Sequence, residues 1–319
     1  MKPLFLASAA LLLFPVALAT AQDFPSQPIH IIVSAGPGGS PDIFSRTLAH
    51  YLTERIGQPV LVENRQGGAG NPASEYVATS KPDGHTLLAV SSSLAFNDAL
   101  FPGLPFNRDS FVPIIAAIGS QQVLAVHPDQ PFETIDDLVA AAKASPGTIS
   151  VASPSWGTTG QLGVLLLQDE ADIELNPVVY RNATAAFPDV VAGHADAIFV
   201  TLSAALPFIR DGALRPLAVT TPERAPSLPD TPTFREQGYP GLVWEDWQGW
   251  AAPAGTPQAV IDKLNAEINA VIADPGANAQ LVEQGFVPLG GTVAEAVALV
   301  DASDALWRPI IVRHNIKPE

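Results

Sequence analysis

The chain has 319 residues and is strongly acidic, with 16 Lys and Arg against 32 Asp and Glu and a formal net charge of −16. Nucleic-acid binding requires clustered positive charge, so this balance excludes that class of function. The sequence contains no Cys, which excludes thiol catalysis and thiolate metal sites. A low charged fraction of 15% is typical of a folded globular protein.

The first 21 residues predict a cleavable secretory signal. Lys2 is followed by an apolar stretch from Leu4 to Leu18 and then by small residues that end at Ala21. This stretch is too short for a stable membrane span. We therefore expect cleavage near Ala21 and a mature protein that works in the periplasm.

The most informative segment is a strand, a glycine-containing loop and a helix. A β-branched run at 29–33 leads to the first loop, residues 36–42, and an amphipathic pattern continues to Leu52. A helix that begins at Ser40 or Pro41 carries partial positive charge at its start, beside unobstructed backbone N–H groups. The loop lacks the Lys of a P-loop and the glycine spacing of a dinucleotide site. It predicts either a site for a small anion or a βα turn without a ligand.

Strands and helices alternate along the first half of the chain. We predict strands at 60–63, 86–90, 111–118 and 123–126, and a helix at 72–79. Between the last two strands we expect the chain to pass from one lobe to another. This alternation predicts an α/β fold with parallel sheets and right-handed crossovers.

The same pattern restarts in the second half. Thr134 is expected to cap a helix that ends at Ala144. Further strands are predicted at 149–152, 178–180, 197–200, 217–219 and, from alternating Trp and polar residues, 247–252. Helices are predicted at 162–168, 257–272 and 294–311. We expect a signal at 1–21, the first part of lobe one at 22–120, lobe two at 121–220, and a linker and return to lobe one over 221–319.

A second loop, residues 153–160, repeats the design of the first. It carries four candidate hydroxyl donors and two glycines directly before a helix. These groups can donate to a carboxylate, although one hydroxyl is enough to cap a helix. Two such loops, one in each lobe, predict a clamp that closes on an anion between two helix starts.

The order of these segments resembles the solute receptors of tripartite tricarboxylate transporters, the Bug or TctC-like family. The resemblance runs through FPSQPIHIIVSAGPGGSPD, IGQPVLVENRQGGAGNPASEYVATSKPDGHTLL, VVYRNATAAFPDVVAGHADAIF and WQGWAAPAGTP, and covers nearly the whole mature chain. It implies a two-lobed, type II periplasmic binding protein-like fold, with two parallel-rich sheets and a hinge. It also implies a small carboxylate ligand and membrane subunits of a secondary transporter as partners.

The resemblance also carries over a set of ligand-binding residues. In the first loop they are Gly38, Gly39, Ser40 and Asp42. In the second loop they are Ser153, Ser155, Gly157, Thr158 and Thr159. The turn 181–185 and the end of the strand at 197–200 are expected to line the same cleft, with contacts from Asn182, Thr184 and Thr201.

Other residues leave alternatives open. Arg65 and Arg181 are candidate partners for a second ligand carboxylate, or surface salt-bridge residues. The acid pair at 245–246 is more typical of solvated or capping acids than of a cleft. Trp247 is expected in the core or near a hinge. Val200, where the family is often polar or acidic, disfavours a ligand amine because a buried ammonium requires a nearby acid.

These observations favour a binding protein over an enzyme. No Gly-x-Ser-x-Gly elbow is present and no two His have metal-ligand spacing. We expect a monomer that needs no cofactor and no metal. Dicarboxylates, tricarboxylates, aromatic acids and amino acids all remain candidate ligands. A receptor that presents its ligand to a membrane signalling protein is the alternative to transport.

Overall fold

The computed structural model describes residues 24–67 and 70–316. The predicted signal segment at 1–21 lies outside these residues. Within them the chain forms one six-stranded and one five-stranded sheet, each covered by helices. None of the described helices is both long enough and apolar enough to span a membrane.

The elements follow the predicted alternation. In chain order the strands are β1 (Ile29–Val33), β2 (Val60–Asn64), β3 (Thr86–Ser91), β4 (Phe111–Ser120), β5 (Gln122–Val126), β6 (Ser150–Ser153), β7 (Asn176–Val179), β8 (Ala197–Thr201), β9 (Arg215–Val219), β10 (Asp246–Pro253) and β11 (Val287–Pro288). The helices are α1 (Ser40–Ile56), α2 (Asn71–Ala78), α3 (Asn97–Leu100), α4 (Ile135–Ala144), α5 (Thr159–Ala171), α6 (Ala183–Val191), α7 (Leu202–Arg210), α8 (Gln258–Ile272), α9 (Pro275–Glu283) and α10 (Val293–Arg313).

The two sheets define two lobes. In the first lobe the strand order is β11-β4-β10-β3-β1-β2, and in the second it is β7-β6-β8-β5-β9. The chain leaves the first sheet at Ser120, enters the second at Gln122, and returns to the first at Asp246. The predicted α/β architecture with two sheets is confirmed.

The prediction of parallel strands holds for only part of each sheet. β1 pairs in parallel with β2 and β3, and β6 pairs in parallel with β7 and β8. By contrast, β10 runs antiparallel to β3 and β4, and β5 runs antiparallel to β8 and β9. β5 and β10 enter their sheets from the other lobe, so no βα crossover sets their direction.

The alternating pattern of the aromatic strand β10 predicted that one of its faces would be exposed. Instead, all eight of its residues are buried. Trp250 packs in the core beneath α1 and α8, while Trp247 lies on the opposite face, in a core that includes residues of α10. Each indole N–H has a partner: Trp250 Nε1 donates to Ser45 Oγ at 3.1 Å and Trp247 Nε1 to Ser303 Oγ at 3.0 Å. Helices on both faces of the first sheet therefore bury this strand completely.

Local capping signals are read correctly from the sequence. Thr134 caps α4, and Asp137 completes a reciprocal capping box with it.

The short helix α3 and the helix α9 have no counterpart among the predicted elements. α9 is a nine-residue helix of weak amphipathic pattern, capped by the Asp274 side chain.

Candidate ligand-binding cleft

The first loop brings the start of helix α1 to the space between the lobes. Gly39 is the N-cap residue and no side chain caps this helix. The N–H of Gly39 donates to the carbonyl oxygen of Gly36 at 3.1 Å, which closes the turn. The N–H of Ser40 has no acceptor within the helix, and Pro41 has no N–H at all. The loop therefore presents a backbone donor and partial positive charge to the interlobe space.

Asp42 holds the first loop in shape and faces away from the interlobe space. It is 3% exposed, and its carboxylate accepts from Gly38 N–H at 3.0 Å, Asn64 Nδ2 at 2.8 Å and Arg46 Nε at 2.9 Å. Burial works against the charge, but the hydrogen bonds from Arg46, Gly38 and Asn64 outweigh it and hold the pKa of Asp42 below its usual range. The geometry assigns Asp42 a structural role in the loop.

The second loop is held by neutral groups of its own. Thr158 caps α5: its Oγ1 accepts from Gln161 N–H at 3.4 Å and donates to the carbonyl oxygen of Ser155 at 2.9 Å. The Gln161 side chain reaches back, and its Oε1 accepts from Gly157 N–H at 2.7 Å. Gly157 has φ +70°, a conformation that favours glycine. The hydroxyl of Thr158 thus donates its proton to an acceptor within the loop.

Gly160 lets α5 begin directly against strand β8. A Cβ at this position would lie 2.5 Å from the carbonyl oxygen of Phe199 and 3.2 Å from Pro154 Cδ. No side chain fits at that distance from a backbone atom. The N–H groups of Thr159 and Gly160, like that of Ser40 in α1, have no acceptor within their own helix.

The two helix starts meet at one cavity of about 170 Å³ between the lobes. Nine of the twelve predicted ligand-binding residues line it: Gly39, Ser40, Ser155, Gly157, Thr158, Thr159, Asn182, Thr184 and Thr201. Gly38, Asp42 and Ser153 do not. Gly38 is exposed beside Thr184, and Ser153 is fully buried at the end of β6. The sequence pattern therefore located both loops and most of the residues that line the cavity, but it also included three that do not.

Residues of both lobes meet at one side of the cavity. Asn182 caps α6 and its Nδ2 donates across the cleft to Gln66 Oε1 at 3.1 Å. Thr184 Oγ1 donates to Asn182 Oδ1 at 2.8 Å, so its hydroxyl proton is also committed. The Asn182–Gln66 hydrogen bond therefore joins a side chain of each lobe.

The two candidate cations differ in position. Arg181 lines the cavity, and its guanidinium makes no ion pair with any described residue. Arg65 lies over the ring of Tyr76 at 3.6 Å and within 3.9 Å of Glu63, outside the cavity lining. Of the two arginines, only Arg181 lines the cavity. Within 24–67 and 70–316, no cluster of three or more His, Asp and Glu is placed to hold a metal ion.

A group of buried acceptors forms another part of the cavity wall. Gln122, Asp246 and Gln248, which we call the acceptor wall, all line the cavity. Asp246 Oδ2 accepts from Thr159 Oγ1 at 2.5 Å and Gln122 Nε2 at 3.2 Å, while Oδ1 accepts from Trp247 N–H at 2.9 Å. Burial raises the pKa of the Asp246 carboxyl, and the hydrogen bonds that it accepts oppose this effect.

The acceptor wall also orients a hydroxyl of the first loop. Gln248 Nε2 donates to Ser40 Oγ at 2.6 Å and to Ser120 Oγ at 2.8 Å. Because Ser40 Oγ accepts this bond, its own proton stays available as a donor inside the cavity. Sequence reasoning missed Gln122 and Gln248 and gave Asp246 little weight. The available signal was two polar residues two positions apart, hence on one face, in an otherwise aromatic and apolar strand.

A protein with two α/β lobes around one cavity, entered by the starts of two helices, is a two-lobed solute-binding protein. The model of the tripartite tricarboxylate transporter family receptor matches residues 44–316. The chain belongs to this family, as the sequence resemblance indicated.

Relatives cover almost the whole chain. A UPF0065 protein in the tcbD-tcbE intergenic region of Pseudomonas sp. strain P51 is 37% identical over 295 residues, which is 92% of this chain and 88% of the relative. Protein BugT of Bordetella pertussis is 32% identical over 311 residues, 97% of this chain and 94% of BugT.

Solved structures share the fold. Rpa4515 of R. palustris with adipate has a TM-score of 0.88 at 29% identity, over 91% of this chain and 98% of that chain. The periplasmic binding protein BugD has a TM-score of 0.85 at 27% identity, over 92% and 100%. MatC of Rhodopseudomonas palustris with bound malate has a TM-score of 0.82 at 26% identity, over 90% and 100%. The two-lobed binding-protein fold is thereby confirmed.

Proposed function

We propose that this protein is an extracytoplasmic receptor that captures a small carboxylate between its lobes and delivers it to the membrane subunits of a tripartite tricarboxylate transporter. The observation that carries this proposal is the convergence of two helix starts, those of α1 and α5, on one interlobe cavity. Each start offers unpaired N–H groups and partial positive charge to an anion.

Local dipoles are needed because the protein as a whole repels anions. The formal net charge is −16, and Arg181 is the only Lys or Arg among the described residues that line the cavity. In a site largely shielded from water, backbone N–H donors interact more strongly with a carboxylate than they would in bulk solvent. Oriented amides therefore offset the unfavourable overall field.

We infer that the ligand contacts are the backbone of the two loops and the free hydroxyls of Ser40, Ser155 and Thr201. The hydroxyls of Thr158, Thr159 and Thr184 donate to protein acceptors, so these residues contribute backbone or packing contacts. Arg181, which lines the cavity, would pair with a second carboxylate of the ligand. Rpa4515 with adipate and MatC with malate support a dicarboxylate as the ligand class.

The transport cycle follows from closure about the hinge. The exported protein works in the periplasm as a monomer, binds its ligand without chemical change, and alternates between open and closed lobes. We take the lobe boundaries to be 22–120, 121–220 and 221–319. Ligand favours the closed form because only closure brings both helix starts to the anion, and docking to the transporter favours opening.

Calorimetric titration of the purified protein with dicarboxylic acids and their diamides tests the proposal. We expect saturable binding of at least one acid and none of its diamide, since the amide removes the charge but keeps size and shape. A panel in which no organic acid binds, or in which diamides bind equally well, contradicts the proposal. Deletion of the gene should abolish uptake of the bound acid, and intact uptake would contradict the transport role.

Two arginine variants compare a residue that lines the cavity with one that lies outside it. Arg181→Gln should weaken binding of a dicarboxylate about tenfold, because it removes a charge-assisted hydrogen bond. Its effect on a monocarboxylate of the same chain length should be smaller. Arg65→Gln, a matched change outside the cavity, should leave both affinities unchanged. Equal effects of the two variants would remove Arg181 from the site.

A further inference from the structure

A second space between the lobes, a groove of about 550 Å³, lies at the hinge. Gln122 lines the interlobe cavity, whereas the preceding residue, Gln121, lines this groove, as expected where successive side chains alternate. The crossover segments thus separate the two spaces. The hinge groove, as we call it, is bounded by the crossover segments 119–121 and 245–247, by residues of the second-lobe loop 221–226, and by Val287, Leu289 and Leu299 of the first lobe.

The side chain of Gln121 is a polar group without a partner in the hinge groove. It is 6% exposed and makes no hydrogen bond to a residue within 24–67 or 70–316. Its amide is not enclosed like the Oε1 atoms of Gln122 and Gln248, which have almost no exposed surface. An occupant of the groove can therefore reach it. A largely buried amide without a partner is unfavourable, and this one can both donate to a ligand and accept from it.

The first-lobe wall of the hinge groove is apolar. Val287 and Leu289 are 37% and 47% exposed and lie beside Leu299 of α10. An exposed apolar surface with a polar rim is typical of a groove that binds a ligand. This wall suits the apolar body of a small molecule.

The charge available in the hinge groove is negative. Glu223 and Glu245 are exposed, line the groove, and form no ion pair with any residue that the structure describes. Arg224 is the only Lys or Arg among the described residues that line it. Its charge is already paired, because Arg224 Nε donates to both carboxylate oxygens of Glu236 at 3.0 Å. The groove therefore favours a cation.

The hinge groove is connected to the interlobe cavity. Ser120, in the groove, accepts from Gln248 Nε2 at 2.8 Å, and the same nitrogen donates to Ser40 Oγ of the first loop at 2.6 Å. Both lobes border the groove, so a rotation about the crossover segments that narrows the cleft widens the groove. In this structure the Asn182–Gln66 hydrogen bond joins the lobes across the cleft. An occupant that fills the groove at this width opposes separation of the lobes.

We propose that the hinge groove binds a small amphipathic cation, and that its occupancy strengthens ligand binding in the interlobe cavity. The apolar body of the cation packs against Val287 and Leu289, a hydrogen-bonding group pairs with Gln121, and the positive charge lies near Glu223 and Glu245. The second half of the inference, the coupling, rests on the proposed receptor function. The coupling is reciprocal, so the ligand of the cavity strengthens binding of the cation by the same factor.

Pairs of an amine and the matching alcohol test the site: phenethylamine and 2-phenylethanol, tyramine and tyrosol, tryptamine and tryptophol. In calorimetric titration of the wild-type protein at low salt, at least one amine should bind at least about threefold tighter than its alcohol. This preference should shrink when the salt concentration is raised to about 0.5 M. Tyramine should bind tighter than phenethylamine, because its phenol can pair with Gln121. A saturating amine should raise the affinity for the acid that binds in the cavity at least about fivefold.

Variants assign these effects to the hinge groove. The double variant Glu223→Gln/Glu245→Gln should lose the preference for amines, and Gln121→Met should lose the advantage of tyramine over phenethylamine. The double variant Glu54→Gln/Glu75→Gln removes two exposed acids outside the groove and should behave as wild type. Each ratio is taken within one protein preparation, so partial misfolding does not change it.

The outcomes distinguish this inference from the proposed function. If an acid binds but no amine does, the groove site is wrong while the receptor function stands. If an amine binds but no acid does, the receptor function is contradicted while the groove site stands. A preference for amines that survives in Glu223→Gln/Glu245→Gln overturns the assignment to the groove, and an unchanged or lowered affinity for the acid overturns the coupling. Loss of uptake in this variant, with no amine bound by the wild type, would assign the groove to a protein partner and overturn the proposal.

Discussion

The two loops share a strand, loop and helix plan, but different chemistry holds each of them. In the first loop an ionised acid, Asp42, gathers a backbone N–H, an amide and the guanidinium of Arg46. In the second loop the neutral side chains of Thr158 and Gln161 hold the loop in shape through hydrogen bonds to its backbone. Both loops leave the first N–H groups of their helix free. The comparison indicates that the side chains mainly shape the loops, which leaves the backbone N–H groups as the anion donors of the proposed receptor.

The largest expected effect comes from the closest backbone contact. Gly160→Ala places a methyl group 2.5 Å from the Phe199 carbonyl oxygen, and should destabilise the protein by about 3 kcal/mol and abolish ligand binding. Gly39→Ala, the matched change in the first loop, meets its nearest atoms at 3.2 Å with φ −74°. It should cost about 1 kcal/mol or less. Urea unfolding of both variants checks this order, and equal costs would contradict it.

The charged support of the first loop gives the next largest effect. Asp42→Asn should lower the free energy of unfolding by about 2 kcal/mol, because it removes the charge that pairs with Arg46 and replaces one of the two acceptor oxygens with an NH2 group that faces other donors. Arg46→Gln should cost less than about 1 kcal/mol, since the Arg46 side chain is 52% exposed and water can replace it. Chemical denaturation of the two variants measures the asymmetry. A larger loss of unfolding free energy in Arg46→Gln than in Asp42→Asn would show that Asp42 is not the centre of this network.

The same acid predicts a pH dependence of stability. The pKa of Asp42 is held below its usual value of about 3.9. Its stabilising contribution is therefore complete above that value and is lost as the pH falls through the lowered pKa. The gap in unfolding free energy between wild type and Asp42→Asn should be constant from pH 7 to 5 and shrink below about pH 4. A gap that is unchanged at pH 3 would contradict the assignment.

The smallest expected effect lies in the cap of the second loop. Thr158→Val should cost about 1 kcal/mol of stability, as the loss of an N-cap usually does. Ligand affinity should change little, because the Thr158 proton is donated to the Ser155 carbonyl. Thr158→Ser, which keeps the hydroxyl, is the control and should restore stability. A large loss of affinity with little loss of stability would show that Thr158 contacts the ligand directly.

Much of the fold was predictable from local patterns. Strands β1 to β10, the cap at Thr134 and the two loops depend on residues close in sequence, and each was located from it, whereas the two-residue strand β11 was not predicted. The burial of β10 was not, because helices on both of its faces are brought there by tertiary packing.

The site was predictable only at the level of its loops. Which hydroxyls remain free depends on acceptors such as Asp246, which lies 87 residues from Thr159 in the chain. The acceptor wall joins the first residue of β5 to two residues of β10, where the chain passes between the lobes. No local sequence pattern indicates that the ends of β5 and β10 meet at one cavity.

The most direct test of the two-loop clamp is a nitrogen-15 NMR titration that follows the backbone amides of Ser40, Thr159 and Gly160. A carboxylate that binds in calorimetry should shift the amides of both helix starts, and the shifts should follow a single dissociation constant. The corresponding diamide should shift neither. Shifts confined to one loop, or to neither while the acid still binds, would contradict a clamp formed by both helix starts.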